Sequence, residues 1–68
     1  MTAGECVGGP LDGSRLVAHA PDDVRGVWES AGRYLTMPLT QWPADEAAER
    51  LGIYCFEPAR RRWTWVPD

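Results

Sequence analysis

The chain has 68 residues and a mass of 7.6 kDa, which suffices for a single small domain over residues 1–68 and excludes a multidomain enzyme. Its composition, 44% hydrophobic with four Trp, two Tyr and one Phe, excludes wholesale disorder, and two Cys and no long apolar run exclude a cysteine-rich scaffold and a transmembrane helix. Seven Arg, no Lys and ten acidic residues give a net charge of −3, which disfavours sequence-independent binding to a nucleic-acid backbone.

The first predicted feature is a tight reversal over residues 8–13, Gly-Gly-Pro-Leu-Asp-Gly. The Pro fixes its own φ, and the three Gly are free to take the positive φ that turns require. Asp12 is expected to hydrogen-bond its own chain as an Asx-turn, since the segment lacks the residue order of a phosphate-binding loop. Short apolar segments at residues 5–7 and 14–20, the second closed by Pro21, predict two strands that form a first hairpin.

Two structures remain open for residues 23–31. An N-cap, apolar residues at helical spacing and a following Gly favour a helix, and these are Asp22, Asp23, Val24, Val27, Trp28, Ala31 and Gly32. Gly26 in the middle, the short length and two β-branched Val favour instead a strand that runs into a hairpin at residues 30–32.

Residues 33–39 alternate between the two faces of a strand. Leu35, Met37 and Leu39 share one face. Pro38 lacks the amide that a ladder hydrogen bond requires, so the pattern predicts an edge strand.

A helix is predicted over residues 43–51. Pro43 suits the first helical position, Asp45 favours the positive end of the helix, and Gly52 suits the position after its last turn. A narrow stripe of small and apolar side chains is formed by Ala44, Ala47, Ala48 and Leu51. We expect this helix to lie against a sheet.

Residues 53–57 and 62–66 flank the basic loop of residues 58–61 and predict a β-hairpin. Cross-strand pairing is expected among four aromatic residues, Tyr54, Phe56, Trp63 and Trp65.

These elements predict an α+β, mainly β fold, with a small antiparallel sheet of four to five strands and one or two short helices. The predicted core consists of Val7, Leu16, Ala18, Leu35, Met37, Ala47, Leu51, Ile53, Cys55, Trp63 and Trp65. The face presented by the last hairpin is uncertain by one register step.

The Gly-Gly-Pro-Leu-Asp-Gly stretch, the Gly-Arg-Tyr at residues 32–34 and the aromatic hairpin resemble a group of small proteins from actinobacteria and their phages. The resemblance covers most of the chain in outline, but only residues 8–13 match closely. It implies an actinobacterial or phage origin and transfers no activity to any residue. Residues 43–51 have no counterpart in it.

Catalytic and metal chemistry find little support among the reactive residues. Cys6, His19 and Cys55 lack the paired spacing of metal ligands, and no third group is indicated that would orient a Cys–His pair. We therefore expect no enzyme activity, no metal, no cofactor and two reduced structural thiols. Residues 1–5 show no basic start of an export signal, so a cytoplasmic location without membrane association is expected.

Four Trp exceed what a core of this size can hide completely, and Trp is enriched at binding hot spots. Trp28 and Trp42 are expected to be partly exposed, although sealing the core edge, or a hydrophobic staple at Trp42, would also explain them. The leading hypothesis is a non-catalytic protein-interaction module that binds a host factor, or a second copy as a homodimer. Its expected contact residues are Trp28, Trp42, Arg60, Arg61 and Arg62.

The three consecutive Arg also allow an alternative function. Guanidinium groups bind phosphates and flat rings stack on bases, so the loop beside Trp63 and Trp65 has the ingredients of a small nucleic-acid-binding protein. A solvated loop that keeps the sheet soluble uses the same residues. A virion or assembly component is a third hypothesis.

Overall fold

The computed structural model describes residues 1–19 and 23–68, and every regular element in these ranges is a β-strand. The strands are β1 Thr2–Val7, β2 Arg15–Ala18, β3 Val24–Ser30, β4 Arg33–Pro38, β5 Glu49–Glu57 and β6 Arg62–Pro67. Ala20, Pro21 and Asp22, to which the sequence analysis assigns a strand end, its closure and an N-cap, lie outside the described residues.

The strands form one curled, mixed sheet in the order β2-β1-β6-β5-β3-β4. Neighbours are antiparallel except β1 and β6, which pair in parallel with Cys6 opposite Trp63. The mainly β prediction is confirmed, but the sheet has six strands, is not wholly antiparallel, and carries no helix in the described residues. The accessible surface of 4515 Å² is close to the roughly 4,300 Å² expected of a compact chain of this mass.

The predicted reversal over residues 8–13 connects β1 and β2 into a hairpin. The amide of Gly13 donates to the carbonyl of Cys6 at 2.9 Å, which continues the ladder into the loop. Asp12 accepts a hydrogen bond from the amide of Gly8 at 2.7 Å. This carboxylate therefore orders its own loop, but through an amide four residues earlier and not through the predicted Asx-turn, because the amide of Ser14 donates to the carbonyl of Leu11 instead.

The hydroxyl of Tyr54 fastens this loop to the sheet. It donates to the carbonyl of Gly8 at 2.6 Å and accepts from the amide of Leu11 at 3.0 Å. Gly9 has a φ of 68°, and a Cβ at this position would clash with the Trp65 ring. The loop lies so close to the aromatic rings that only Gly fits there.

For residues 24–30 the strand alternative is correct and the helix alternative is wrong. β3 pairs with β4 on one side and β5 on the other, which satisfies its backbone groups without a helix. Ala31 and Gly32 both take positive φ, 51° and 78°, as a two-residue hairpin turn of the primed type requires. The register shifts where Val27 is opposite Gly52 and Trp28 is opposite Arg50, so β5 contains a bulge.

The predicted helix over residues 43–51 is wrong. Residues 49–51 belong to β5, and residues 39–48 form an irregular connection. A helix shorter than three turns needs tertiary packing, and a stripe made mostly of Ala buries too little apolar area to supply it. Pairing with β3 provides hydrogen bonds to Glu49 and Arg50 instead.

The inner face of the curled sheet holds the core. Its buried residues are Cys6, Ala18, Val27, Tyr54 and Trp63, with Leu11, Leu16, Phe56 and Trp65 packed against them. The aromatic pairing across β5 and β6 is confirmed, with Tyr54 opposite Trp65 and Phe56 opposite Trp63. The ring centroids of these pairs are 4.8 and 5.2 Å apart.

The register determines which predicted core residues are buried. Those found in the core or packed against it are Leu16, Ala18, Trp63 and Trp65. The half-buried ones are Leu35, Met37, Leu51, Ile53 and Cys55. Val7 and Ala47 are exposed, so these two predictions are wrong. Ile53 and Cys55 alternate with inward-facing Tyr54 and therefore lie on the outer face.

Replacing Tyr54 with Phe is expected to lower the free energy of unfolding by about 1–3 kcal/mol, because Gly8 and Leu11 lose their partner while the ring remains. Tyr34→Phe is the matched control, since Tyr34 is 47% exposed. Urea unfolding followed by circular dichroism measures both variants. Equal stability of Tyr54→Phe and the unmodified protein would contradict the role of the hydroxyl.

Candidate interaction surface

The connection of residues 39–48 passes over the outer face of the sheet. β4 and β5 lie on the two sides of β3 and both run antiparallel to it, so the chain must cross β3 to join them. Such crossovers are usually helical. Here the irregular loop makes the crossing and places Trp42 against Trp28.

Trp28, Leu39 and Trp42 form a surface that we call the tryptophan ledge. The two indole rings meet edge to face, with centroids 5.1 Å apart and an interplanar angle of 62°. Trp28 is only 8% exposed, whereas Trp42 is 70% exposed. The prediction of partial exposure is correct for Trp42 and wrong for Trp28, which is the buried base on which Trp42 rests.

Gly26 makes room for the ledge. A Cβ at this position would lie 3.3 Å from Nε1 of Trp28, 3.5 Å from Cδ2 of Leu39 and 3.8 Å from Cδ of Arg50. The side chains of Trp28, Leu39 and Arg50 therefore converge above Gly26, which has no side chain. The guanidinium of Arg50 continues to Asp68, with Nε and Oδ2 3.0 Å apart, and forms a polar edge beside the ledge.

Asp45 fixes the far end of the crossing loop. Its carboxylate accepts hydrogen bonds from the hydroxyl of Ser30, at the end of β3, and from the amide of Ala47 at 2.9 Å. The Ser30 hydroxyl, and secondarily the Ala47 amide, lowers the pKa of Asp45 below its ordinary value of 3.8. The loop that carries Trp42 is thus tied down on both sides of the ring, since Gln41 N also donates to Pro38 O at 2.9 Å.

The basic loop lies at the other end of the sheet. Arg60 N donates to Glu57 O at 3.3 Å, and Arg61 takes a positive φ of 51°, so these residues form the tight tip of the β5–β6 hairpin. Arg62 lies in β6, and its Nε is 3.4 Å from Oε1 of Glu57. The tip is roughly 20 Å along β5 from Arg50 beside the ledge. The five predicted contact residues therefore form two separate surfaces.

The two Trp rings predicted to act with the basic loop face inward, where Trp63 belongs to the core and Trp65 packs against it. Trp63 is fully buried, and its Nε1 donates to the carbonyl of Leu16 at 3.1 Å. Trp65 packs on Tyr54 and over Gly52, where a Cβ would lie 2.7 Å from its ring. The positive charge at the tip thus lacks the two ring partners that the alternative function assigns to it.

The two cysteines are free thiols in different environments. Cys6 is buried, and burial, followed by the charges of Asp12 and Glu5, raises the pKa of its thiol above 9.0. Cys55 is half-buried on the outer face of β5, and β6 lies between the two strands. Two strand spacings are roughly 9–10 Å, which exceeds the reach of a disulfide.

Among residues 1–19 and 23–68, no group of three or more His, Cys, Asp and Glu is placed to hold a metal ion. His19 is exposed just after β2. The same ranges contain no helix that is long and apolar enough to cross a membrane.

Sequence reasoning missed the roles of Leu39 and Asp45, since it assigned the first to a strand and the second to a helix. Pro38 and Pro43 bracket the residues that lead onto the outer face. Two Pro at this spacing favour an irregular loop, and this was the signal that could have located the ledge.

A scan against protein-family models, a search of curated proteins and a search of solved structures each found no match.

We expect the ledge to loosen in acid. Asp45 has a lowered pKa in the folded state, so its contribution is fully present above pH 3.8 and is lost as the pH falls through the lowered value. The indole N–H resonance of Trp42 should shift in this range and, in Asp45→Asn, already be shifted at neutral pH. Glu46→Gln, which changes the neighbouring exposed carboxylate, is the control. Identical titrations in Asp45→Asn and Glu46→Gln would rule out the anchor.

We also expect the two thiols to react at different rates. Cys55 should react promptly with a disulfide reagent such as Ellman's reagent, whereas buried Cys6 should react only as the sheet opens. The variants Cys6→Ser and Cys55→Ser assign the two phases. A disulfide found by mass spectrometry, or a single common rate, would contradict the placement of the two residues.

Proposed function

We propose that the protein is a non-catalytic protein-interaction module that binds through the tryptophan ledge. The observation that carries this proposal is Trp42, whose side chain is 70% exposed yet rests against buried Trp28. A ring that is held in place before binding loses little conformational freedom on association. Trp is also among the residues most enriched at binding hot spots.

The surface around the ledge supports the same proposal. Apolar residues continue across the outer face in register, with Val66 opposite Ile53, Ile53 opposite Gly26, and Gly26 opposite Met37. Leu39 is 44% exposed beside them, and the Arg50–Asp68 ion pair lies at the edge. An apolar surface with a polar edge is typical of a site that excludes water when a partner binds.

The state of Cys6 supports a non-catalytic role. A nucleophilic thiol needs an accessible sulfur and a lowered pKa, whereas Cys6 is buried and its pKa is raised. Its side chain fills the core between the hairpins instead.

The partner is either a second copy of the chain or another protein. The resemblance to small phage proteins favours a protein of the bacterial host, met in a reducing cytoplasm where both thiols stay reduced. A second copy would cover the same apolar outer face symmetrically.

Sedimentation tests whether the partner is a second copy of the chain. At micromolar concentration the unmodified protein should form dimers, and Trp42→Ala should shift it to monomer, while Tyr34→Ala, which truncates another exposed aromatic, should not. A dimer that survives Trp42→Ala places the contact elsewhere and contradicts the ledge. If the unmodified protein is a stable monomer, the ledge must instead bind a different protein.

Affinity capture from a bacterial lysate then tests whether the ledge binds a different protein. The same experiment tests the alternative function, nucleic-acid binding through the basic loop. Trp42→Ala bait should lose the captured partner, and bait with Gln at Arg60, Arg61 and Arg62 should keep it. Nucleic-acid binding would reverse this pattern, since neutralising the three Arg would remove binding and rising salt would weaken it steeply. Capture lost only with the three Arg changes, or a monomer that captures nothing, would overturn the proposal.

A further inference from the structure

A cleft of about 440 Å³ opens at the hairpin tip, at the end of the sheet away from the ledge. Its lining includes Met1, Ala3, Arg15, Phe56, Pro58 and Arg61. This volume is in the range that holds small ligands, and the lining combines apolar residues with two Arg.

The two cationic side chains of the cleft have no intramolecular partner among the described residues. Arg50 and Arg62 form ion pairs, but neither Arg15 nor Arg61 makes an ion pair or a side-chain hydrogen bond there. Glu5 is opposite Arg15 in the strand register and still forms no ion pair with it. Two guanidinium groups therefore remain available to an anion on a protein whose net charge is −3.

The backbone holds Arg61 beside the cleft. The carbonyl of Arg61 lies so close to Gly4 that a Cβ at Gly4 would clash with it. The positive φ of Arg61 turns the chain at this point. Arg60, one residue earlier in the same tip, does not line the cleft. Arg61 therefore lines the cleft, and Arg60 does not, because of their positions in the turn and not because of their charge.

Phe56 supplies an aromatic surface next to the charges. It is half-buried, and its ring is held edge to face against buried Trp63 with centroids 5.2 Å apart. Pro58 lines the same cleft. A flat ring entering here would contact apolar groups while an attached anion meets the guanidinium groups.

We propose that this cleft binds a phosphate monoester joined to an aromatic ring, with the phosphate between Arg15 and Arg61 and the ring against Phe56. Two guanidinium groups match the charge of a phosphate monoester, which approaches −2 at neutral pH, better than that of a single carboxylate. A nucleoside monophosphate and a phosphotyrosine side chain share this chemistry.

Titration of the labelled protein with phenyl phosphate, followed by NMR, tests the site at near-physiological salt. We expect saturable shifts at Thr2, Ala3 and the side-chain N–H groups of Arg15 and Arg61, with the indole of Trp42 unmoved. Phenyl phosphate should bind more tightly than inorganic phosphate, which lacks the ring. Phenol, which lacks the phosphate, should show no saturable binding. Uridine monophosphate and free phosphotyrosine form the two further arms, and the tighter of them identifies the source.

The substitutions Arg15→Gln and Arg61→Gln should each weaken the binding of phenyl phosphate about fivefold, as expected for an exposed charge contact. Arg60→Gln removes the same charge one residue away and should leave the affinity unchanged. All three substitutions affect exposed side chains, so the unperturbed spectrum reports whether the fold is retained. No saturation with any of the phosphates, an equal effect of Arg60→Gln, or equal affinity for inorganic phosphate would overturn the proposal.

Discussion

The inner face of this sheet must be covered by the sheet itself, because no helix and no second sheet in the described residues covers it. The aromatic rings of β5 and β6 meet this constraint. Tyr54 pairs with Trp65 and Phe56 with Trp63, and these rings fill the space that the curl encloses. Gly52 leaves room for the Trp65 ring, so the close approach depends on a residue without a side chain.

This arrangement places two of the four Trp on each face of the sheet. Two of them occupy the inner face, which leaves Trp28 on the outer face with only a short loop to cover it. Trp42 provides that cover and remains mostly exposed while doing so. The ledge is therefore a consequence of how the core is packed, and its position far from Arg61 separates an apolar surface at one end from a cationic cleft at the other.

The sequence predicts local features of the fold well and nonlocal ones poorly. The reversal at residues 8–13 and the alternation over residues 33–39 depend on a few neighbouring residues, so both could be predicted. Residues 43–51 carry helix signals at both ends, but the outcome was decided by pairing of Glu49 and Arg50 with β3, which no local pattern reveals. Strand register likewise decided that Tyr54, and not Cys55, faces the core.

The same difference between local and nonlocal features applies to the two candidate surfaces. An exposed Trp42 was predictable from Trp content and from its position beside a Pro, because a small core cannot hide every indole. Arg15 and Arg61 are distant in sequence and line the same cleft only because β1 pairs with both β2 and β6. No spacing rule connects them, so only the folded sheet brings them to one cleft.

The placement of β6 between β1 and β5 affects the order in which the sheet can fold. Before β6 docks, the β1–β2 hairpin and the β3-β4-β5 group can form, but each keeps an open strand edge. Unpaired edges recruit other chains, so the protein is most prone to aggregate before β6 has docked. Docking of β6 closes both edges at once, which makes the completion of the sheet a late and cooperative step.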